Sequence, residues 1–165
     1  MICVKFGGSC VTAKNLGCIA NIVDDNVGAV VVSAVGKEFL NDNKLTDLLD
    51  EYYRTREQTI WQQICDKIMR LCVLNSIDVD FEKMLFEAKS RIDGRDRYYC
   101  LSIGEEITAR CVAKYLGRRY VESAEYVVFT NGRLNNAETK RRIGQLVGQK
   151  FVCGGFYGGD RKSVV

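Results

Sequence analysis

The apolar residues of the chain change their spacing along its length, and each change marks an element. Ile2-Cys3-Val4-Lys5-Phe6 is short, apolar and followed at once by Gly7-Gly8, which predicts a buried strand ending in a tight turn. From Thr12 the period becomes helical: Leu16, Ile19, Ala20 and Val23 share one helix face, with Thr12 placed to cap it. Residues 28–34 form a valine-rich run without alternation, the pattern of a strand covered on both faces by helices in a parallel sheet. The polar, glycine-started stretch 36–44 predicts a loop. Beyond it, 45–92 keeps helical spacing almost throughout, with a break at 76–80.

A further helix is expected over 102–116, ended by Gly117, because Ile103, Ile107 and Cys111 follow a helical stripe. Short strands at 120–121 and 126–129, a helix over 136–146 and a strand at 151–153 complete the series, the last running into Gly154-Gly155-Phe156-Tyr157-Gly158-Gly159. Strands alternating with helices predict one domain with a three-layer α/β fold and a mainly parallel sheet. Ligands gather at the carboxyl ends of the strands in such sheets. That rule makes 5–10, 33–36 and 154–159 neighbours around one crevice.

Composition narrows the chemistry. With 165 residues, 47% of them apolar and 27% charged, the chain has the make-up of an ordinary globular domain. The net charge is only +3, from 24 basic and 21 acidic residues, and the densest basic cluster, Lys140-Arg141-Arg142, reads as the solvated face of a helix. No aromatic-interleaved basic stripe accompanies it, so no nucleic-acid partner is expected. The eight cysteines form no Cys-x-x-Cys pair and there is no histidine, which argues against a zinc site or a disulfide framework; no metal-ligating residues are assigned. Buried thiols in a reducing, cytoplasmic setting are the expectation. No apolar run is long enough to span a membrane, so no membrane partner is expected either. Without histidine, catalysis would rest on Lys, Arg, carboxylates, hydroxyls, backbone amides or a thiol.

Lys5-Phe6-Gly7-Gly8-Ser9 joins a strand-end lysine to a glycine pair and a hydroxyl just ahead of a helix, an arrangement suited to an anion. By itself it serves equally as a tight turn packing helix on sheet, and it is not a Walker motif, since the lysine precedes the glycines. Three further blocks extend it. Residues 5–11 resemble the opening of aspartate kinases, members of the amino-acid kinase superfamily. Val32-Ser33-Ala34-Val35-Gly36-Lys37, followed by Leu45-Thr46-Asp47-Leu48-Leu49, is similar to the family's second block, Ser102-Ile103-Gly104-Glu105 to its Ser-x-Gly-Glu, and Gly155-Phe156-Tyr157-Gly158 to its Gly-Phe-x-Gly. The four occur in the family's order.

The resemblance implies the amino-terminal, amino-acid-substrate part of an amino-acid kinase domain over 1–165, its sheet incomplete, with a mainly helical insert at about 45–95. It implies transfer of the γ-phosphoryl of ATP, with Mg2+, to the side-chain carboxylate of aspartate, the first step towards lysine, threonine and methionine. Lys5 would be catalytic; Lys5, Phe6, Gly7, Gly8 and Ser9 would bind phosphate; Ser33, Thr46 and Glu105 would bind aspartate. Each has a plainer alternative: a solvated strand-end lysine for Lys5, a strand-end hydrogen bond for Ser33, a helix cap for Thr46 and a helix-start carboxylate for Glu105. Glu106 takes the plainer reading. Cys10 stands where the family usually has a hydroxyl. The family's Arg-Gly-Gly-Ser-Asp segment, whose arginine would hold the α-carboxylate, is not in the sequence, so the isolated chain is expected to be inactive. A noncatalytic amino-acid- or partner-binding module is the alternative, and a relative acting on glutamate, carbamate or a nucleotide monophosphate a third. A homo-oligomer is expected, joined along an apolar strand edge at 151–156.

Overall fold

The computed structural model describes residues 2–92, 94–155 and 159–160. Strand β1 (Ile2–Phe6), helix α1 (Leu16–Ile22) and strand β2 (Val27–Val32) form the opening strand-helix-strand unit. Helices α2 (Leu45–Thr55), α3 (Gln58–Leu74), α4 (Phe81–Ile92) and α5 (Arg97–Tyr115) follow. Strand β3 (Arg119–Tyr120), helix α6 (Ser123–Tyr126), strands β4 (Val128–Thr130) and β5 (Arg133–Leu134), helix α7 (Asn136–Gly144) and strands β6 (Phe151–Gly154) and β7 (Gly159–Asp160) complete the order. The main sheet is parallel with strand order β1-β2-β6-β3, and a smaller sheet has the order β5-β4-β7.

Alternation along the strands sorts the core into two unequal halves. Phe6, Val30, Val32 and Val152 face a large cluster built with Leu16, Leu45, Leu49, Ile64, Ile68, Ile103 and Ile107. Ala29, Phe151 and Cys153 face the other way, into a small cluster with Val121, against which Tyr126 and Leu146 pack. The mixed α/β fold with a parallel sheet expected from the sequence is present, and far more of the core lies on one face of the sheet than on the other.

Several expectations change. The opening strand is an edge strand among the described residues: Ile2, Cys3 and Lys5 are exposed and only Phe6 is buried, with β2 as the strand paired to β1. Of the cysteines, Cys72, Cys100, Cys111 and Cys153 are buried, whereas Cys3, Cys10 and Cys18 are exposed. Strand β6 offers no free edge for self-association, since it lies between β2 and β3 and is buried throughout, and Phe156 of the expected contact lies outside the described residues. Among the described residues the edges of the main sheet are β1 and β3. Thr12 is buried and does not cap α1, whose N-cap is Asn15.

Helix α5 begins five residues before its expected start. Asp96 caps it by accepting the Tyr99 N–H at 2.8 Å. It is buried on nearly every side from Ser102 to Ala113, as suits the helix lying between the sheet and the other helices. Gly104 lets it lie there. A Cβ at that position would stand 2.8 Å from Leu49 Cδ1 and 3.3 Å from Ala34 Cβ. The buried Thr108 hydroxyl donates to the Gly104 carbonyl at 2.7 Å and accepts the Val35 N–H at 3.2 Å, so the helix also fixes the chain just past β2.

The loop after β2 is pinned by a second route. Lys67 on α3, its side chain 6% exposed, donates to Asp42 at 2.5 Å. Asp42 accepts the Glu38 N–H at 2.8 Å, and Glu38 accepts the Ala13 N–H at 2.5 Å. Burial works to raise the Asp42 carboxyl, but the Lys67 ammonium and the N–H groups of Glu38 and Asn43 outweigh it and hold the group below its ordinary value of 3.8.

Two outcomes are expected. Gly104→Ala destabilises by about 1–3 kcal/mol because Leu49 and Ala34 must give way, whereas Gly17→Ala, with open space at its Cβ on α1, is neutral or stabilises by up to about 1 kcal/mol. Urea titration of both variants measures the contrast, and equal effects would contradict the tight seat of α5. Lys67→Met should cost about 1.5–3 kcal/mol at neutral pH. Because the Asp42 carboxyl is lowered on folding, its stabilisation is complete above 3.8 and fades as pH falls through its folded value, so the penalty shrinks in acid. A penalty unchanged between pH about 7 and about 3 would show that Lys67 acts by packing alone.

Candidate functional site

The carboxyl ends of β1 and β2 meet at a crevice. After β1 the chain turns at once, with the Cys10 and Val11 N–H groups donating to the Gly7 carbonyl at 2.9 and 3.2 Å. The turn is anchored by Val11 and Thr12, both buried, and leaves Gly7 and Ser9 exposed. After β2 the chain runs alongside it: the Ser33 N–H donates to the Phe6 carbonyl at 3.1 Å and the Gly36 N–H to the Val11 carbonyl at 2.9 Å. The approach is so close that a Cβ on Gly36 would lie 1.9 Å from the Gly8 carbonyl oxygen. Only glycine fits at 36, and the atom in its way is backbone.

The pocket beneath has a volume of about 470 Å³ and is walled by Gly8, Ser9, Ser33–Lys37, Lys44, Thr46 and Glu105. Five sequence-predicted site residues are therefore on one cavity, although they come from the β1 turn, the end of β2, the start of α2 and the middle of α5. Ser33 and Thr46 are half-buried. Helix α2 has Lys44 at its N-cap and no side-chain cap hydrogen bond, so the capping alternative for Thr46 is not the one observed.

Glu105 is buried, at 8% exposure, well inside α5. The helix-start alternative therefore falls: the first turn of α5 is at 97–100, and the helix dipole acts at the ends. One of its carboxylate oxygens accepts the Gly155 N–H at 2.7 Å, which ties the segment after β6 to the pocket wall. Lys5, exposed on β1 opposite Val31, stands on the same side: a Cβ on Gly155 would lie 3.7 Å from Lys5 Cε, 3.8 Å from Glu105 Oε2 and 2.9 Å from Val31 Cγ1. Phe6 differs from its neighbours, because its ring is in the core and only its backbone faces the turn. Phe156, Tyr157 and Gly158 of the fourth motif lie outside the described residues.

Adjacent Glu106 points away, at 4% exposure, and is held by Arg91 at 2.9 and 3.1 Å and by Arg110 at 3.0 Å. It is structural, as read from sequence, but through an ion cluster and not a helix end. Of the basic run on α7, Arg141 and Arg142 hold Glu138 at 2.7 and 2.8 Å, and these bonds pull its carboxyl down to about 2. Sequence reasoning did not single out Lys37 or Lys44 as site residues, although Lys37 ends the first half of the second block; the structure places both on the pocket wall. The available signal was their position flanking the segment between the two halves of the second block.

No protein-family model matches the sequence, and no curated protein does. Among solved structures, the aspartate kinase of Clostridium acetobutylicum, described as an allosteric enzyme, superposes with a TM-score of 0.92 at 26% identity, covering 99% of this chain and 41% of that one. Aspartokinase III of E. coli, in complex with lysine and aspartate, superposes with a TM-score of 0.77 at 18% identity, over 99% of this chain and 42% of that one, a likeness of fold alone. The chain spans about two fifths of the length of either protein. The fold thus agrees with the motif blocks: over nearly its whole length the chain is similar to part of an aspartate kinase.

Proposed function

We propose that this chain supplies the acceptor side of an aspartate kinase, which moves the γ-phosphoryl of ATP to the side-chain carboxylate of aspartate in a cytoplasmic amino-acid biosynthetic route. The observation that carries the reading is the gathering of Ser9, Ser33, Thr46 and buried Glu105 on one pocket beside the Gly7-Gly8 turn. An aspartate carboxylate is ionised at neutral pH, so the attack needs no general base and the absence of histidine is no obstacle. What the reaction asks for is placement and charge compensation.

Glu105 pairs with the substrate ammonium, and the Ser33 and Thr46 hydroxyls fix its carboxylates. Lys5 stabilises charge on the transferring phosphoryl, while the amides of Gly7, Gly8 and Ser9 line the path of its oxygens. A turn of glycines with a lysine beside it suits the phosphate end of ATP. Mg2+ belongs to the same reading as the partner of ATP, but no group of three or more Asp, Glu or Cys side chains among the described residues is placed to hold an ion, so no step is assigned to it. No described helix is long and apolar enough to cross a membrane.

In an aspartate kinase chain that carries these residues, Lys5→Ala should lower kcat by two to three orders of magnitude, since one preorganised charge at a developing oxyanion is worth about 3–4 kcal/mol. A coupled assay for ADP measures it, and a loss smaller than about threefold would return Lys5 to a structural role. Residues 1–165 by themselves should bind aspartate and show no turnover in the same assay. Turnover by that chain would overturn the division of labour, and binding without turnover in every longer chain would leave a noncatalytic module.

A further inference from the structure

We infer that the buried thiols of Cys72 and Cys111 form an oxidative modification site, at which a hydroperoxide joins them in a disulfide that ties α3 to α5. The inference is independent of the acceptor reading given above.

The two residues come from different helices, 39 positions apart in sequence, and their Sγ atoms meet at 3.7 Å. Cys72 is 3% exposed and Cys111 is fully buried. Both sit beside turns that are anchored. Asn75, just past the end of α3, donates to the Leu71 carbonyl at 2.9 Å and to the Ala13 carbonyl at 2.8 Å. On α5, Thr108 lies one turn before Cys111 and holds the Val35 N–H. The backbones that carry the sulfurs are therefore fixed, and the thiols remain in contact. Closing the pair to a bond of about 2.05 Å takes an approach of about 1.7 Å, shared by two side chains.

The same contact makes the two thiols unequal. The hydrogen bond from Cys111 holds the Cys72 thiol below its ordinary value of 9.0 against the effect of burial. The bond to Cys72 and burial together push the Cys111 thiol up. Cys72 is thus the nucleophile and Cys111 the resolving thiol. By contrast Cys100, buried with its thiol on the Leu49 carbonyl at 3.5 Å, is pushed up to about 11 by burial and is the inert kind.

In the first step the Cys72 thiolate attacks a peroxide oxygen. An S–O bond forms, the O–O bond breaks, and the leaving alkoxide or hydroxide takes the proton that Cys72 gave up. Cys111 sulfur then attacks the sulfenic sulfur, forming the S–S bond and breaking the S–O bond, and hydroxide leaves with the Cys111 proton as water. Two thiols and one hydroperoxide give one disulfide, one water and one alcohol, which is a second water when the oxidant is hydrogen peroxide. The thiols lose two electrons and the peroxide gains them. A neighbouring thiol and not a cation lowers Cys72, and the peroxide must enter through local openings of the fold, so the reaction is slow and answers to sustained oxidant.

The test uses the folded 165-residue chain, its exposed thiols first capped briefly with N-ethylmaleimide, then held in millimolar hydrogen peroxide. Peptide mass spectrometry without reductant should find the Cys72 and Cys111 peptides joined and two hydrogens lighter, and dithiothreitol should part them. The cross-link closes a long loop, so the melting temperature should rise by about 5–10 °C and fall back on reduction. In Cys111→Ser the reaction should stop at a Cys72 sulfenic acid that dimedone traps. Two free thiols after the treatment, or a cross-link that forms only once the chain is unfolded, overturns the site. A cross-link that lowers the melting temperature overturns it too, since the bond would then have been made by distorting the fold.

Discussion

The arrangement of the crevice depends on one contact, the backbone of Gly36 against the carbonyl of Gly8. Any side chain at 36 would overlap that oxygen, with 1.9 Å left for a carbon that needs more than 3 Å. The contact joins the loop after β1 to the loop after β2, and every pocket residue except Glu105 belongs to one of those loops or to the helix entered from the second. The Gly36 N–H to Val11 carbonyl bond and the Lys67–Asp42–Glu38–Ala13 chain hold the same two loops in register, and Thr108 against Val35 fixes the second of them to α5. Together these supports give a preorganised wall, which is what selective binding of a small polar ligand requires.

Helix α5 closes the pocket from below, and its two adjacent glutamates show how burial is assigned. Both are nearly inaccessible, and a buried carboxylate is costly unless it is hydrogen-bonded or paired. Glu106 has two arginines within 3.1 Å, which satisfies it within the protein. Glu105 faces the cavity with a backbone N–H on one oxygen. Neighbours in sequence on a helix point about 100° apart, so one is held in the ion cluster and the other lines the pocket.

Much of this was legible in the chain. The valines of 28–34 announced a covered parallel strand, and β2 is buried along nearly its whole length. The break expected at 76–80 separates α3 from α4, while the division at Arg56, in a left-handed conformation with φ of 58°, was hidden by helical spacing on both sides. The β4–β5 hairpin turns on Asn131-Gly132, both at positive φ, a signal that was present and unused. Other features were not local. Whether β1 is an edge or a central strand depends on strand order, and the pairing of β7 with β4 joins segments about thirty residues apart. The site residues were named from motif likeness, but the start of α5 was misplaced, because Arg97, Tyr98 and Tyr99 carry no apolar stripe and the cap at Asp96 was not weighed. That error alone produced the helix-start alternative for Glu105.

The two ends of the site differ in exposure in a way that matches the proposed chemistry. Glu105 is buried beneath the pocket, whereas Lys5 is exposed on an edge strand and the Gly7–Ser9 turn beside it is mostly open. Recognition of a small amino acid gains from a fixed, desolvated wall, whose geometry does not have to be rebuilt on binding. Phosphoryl transfer needs the reverse at its other end, an accessible edge at which a nucleotide's phosphates can be set in line with the acceptor. A single sheet provides both conditions, because the helix packed over its interior strands carries the buried carboxylate while the edge strand presents the lysine to solvent.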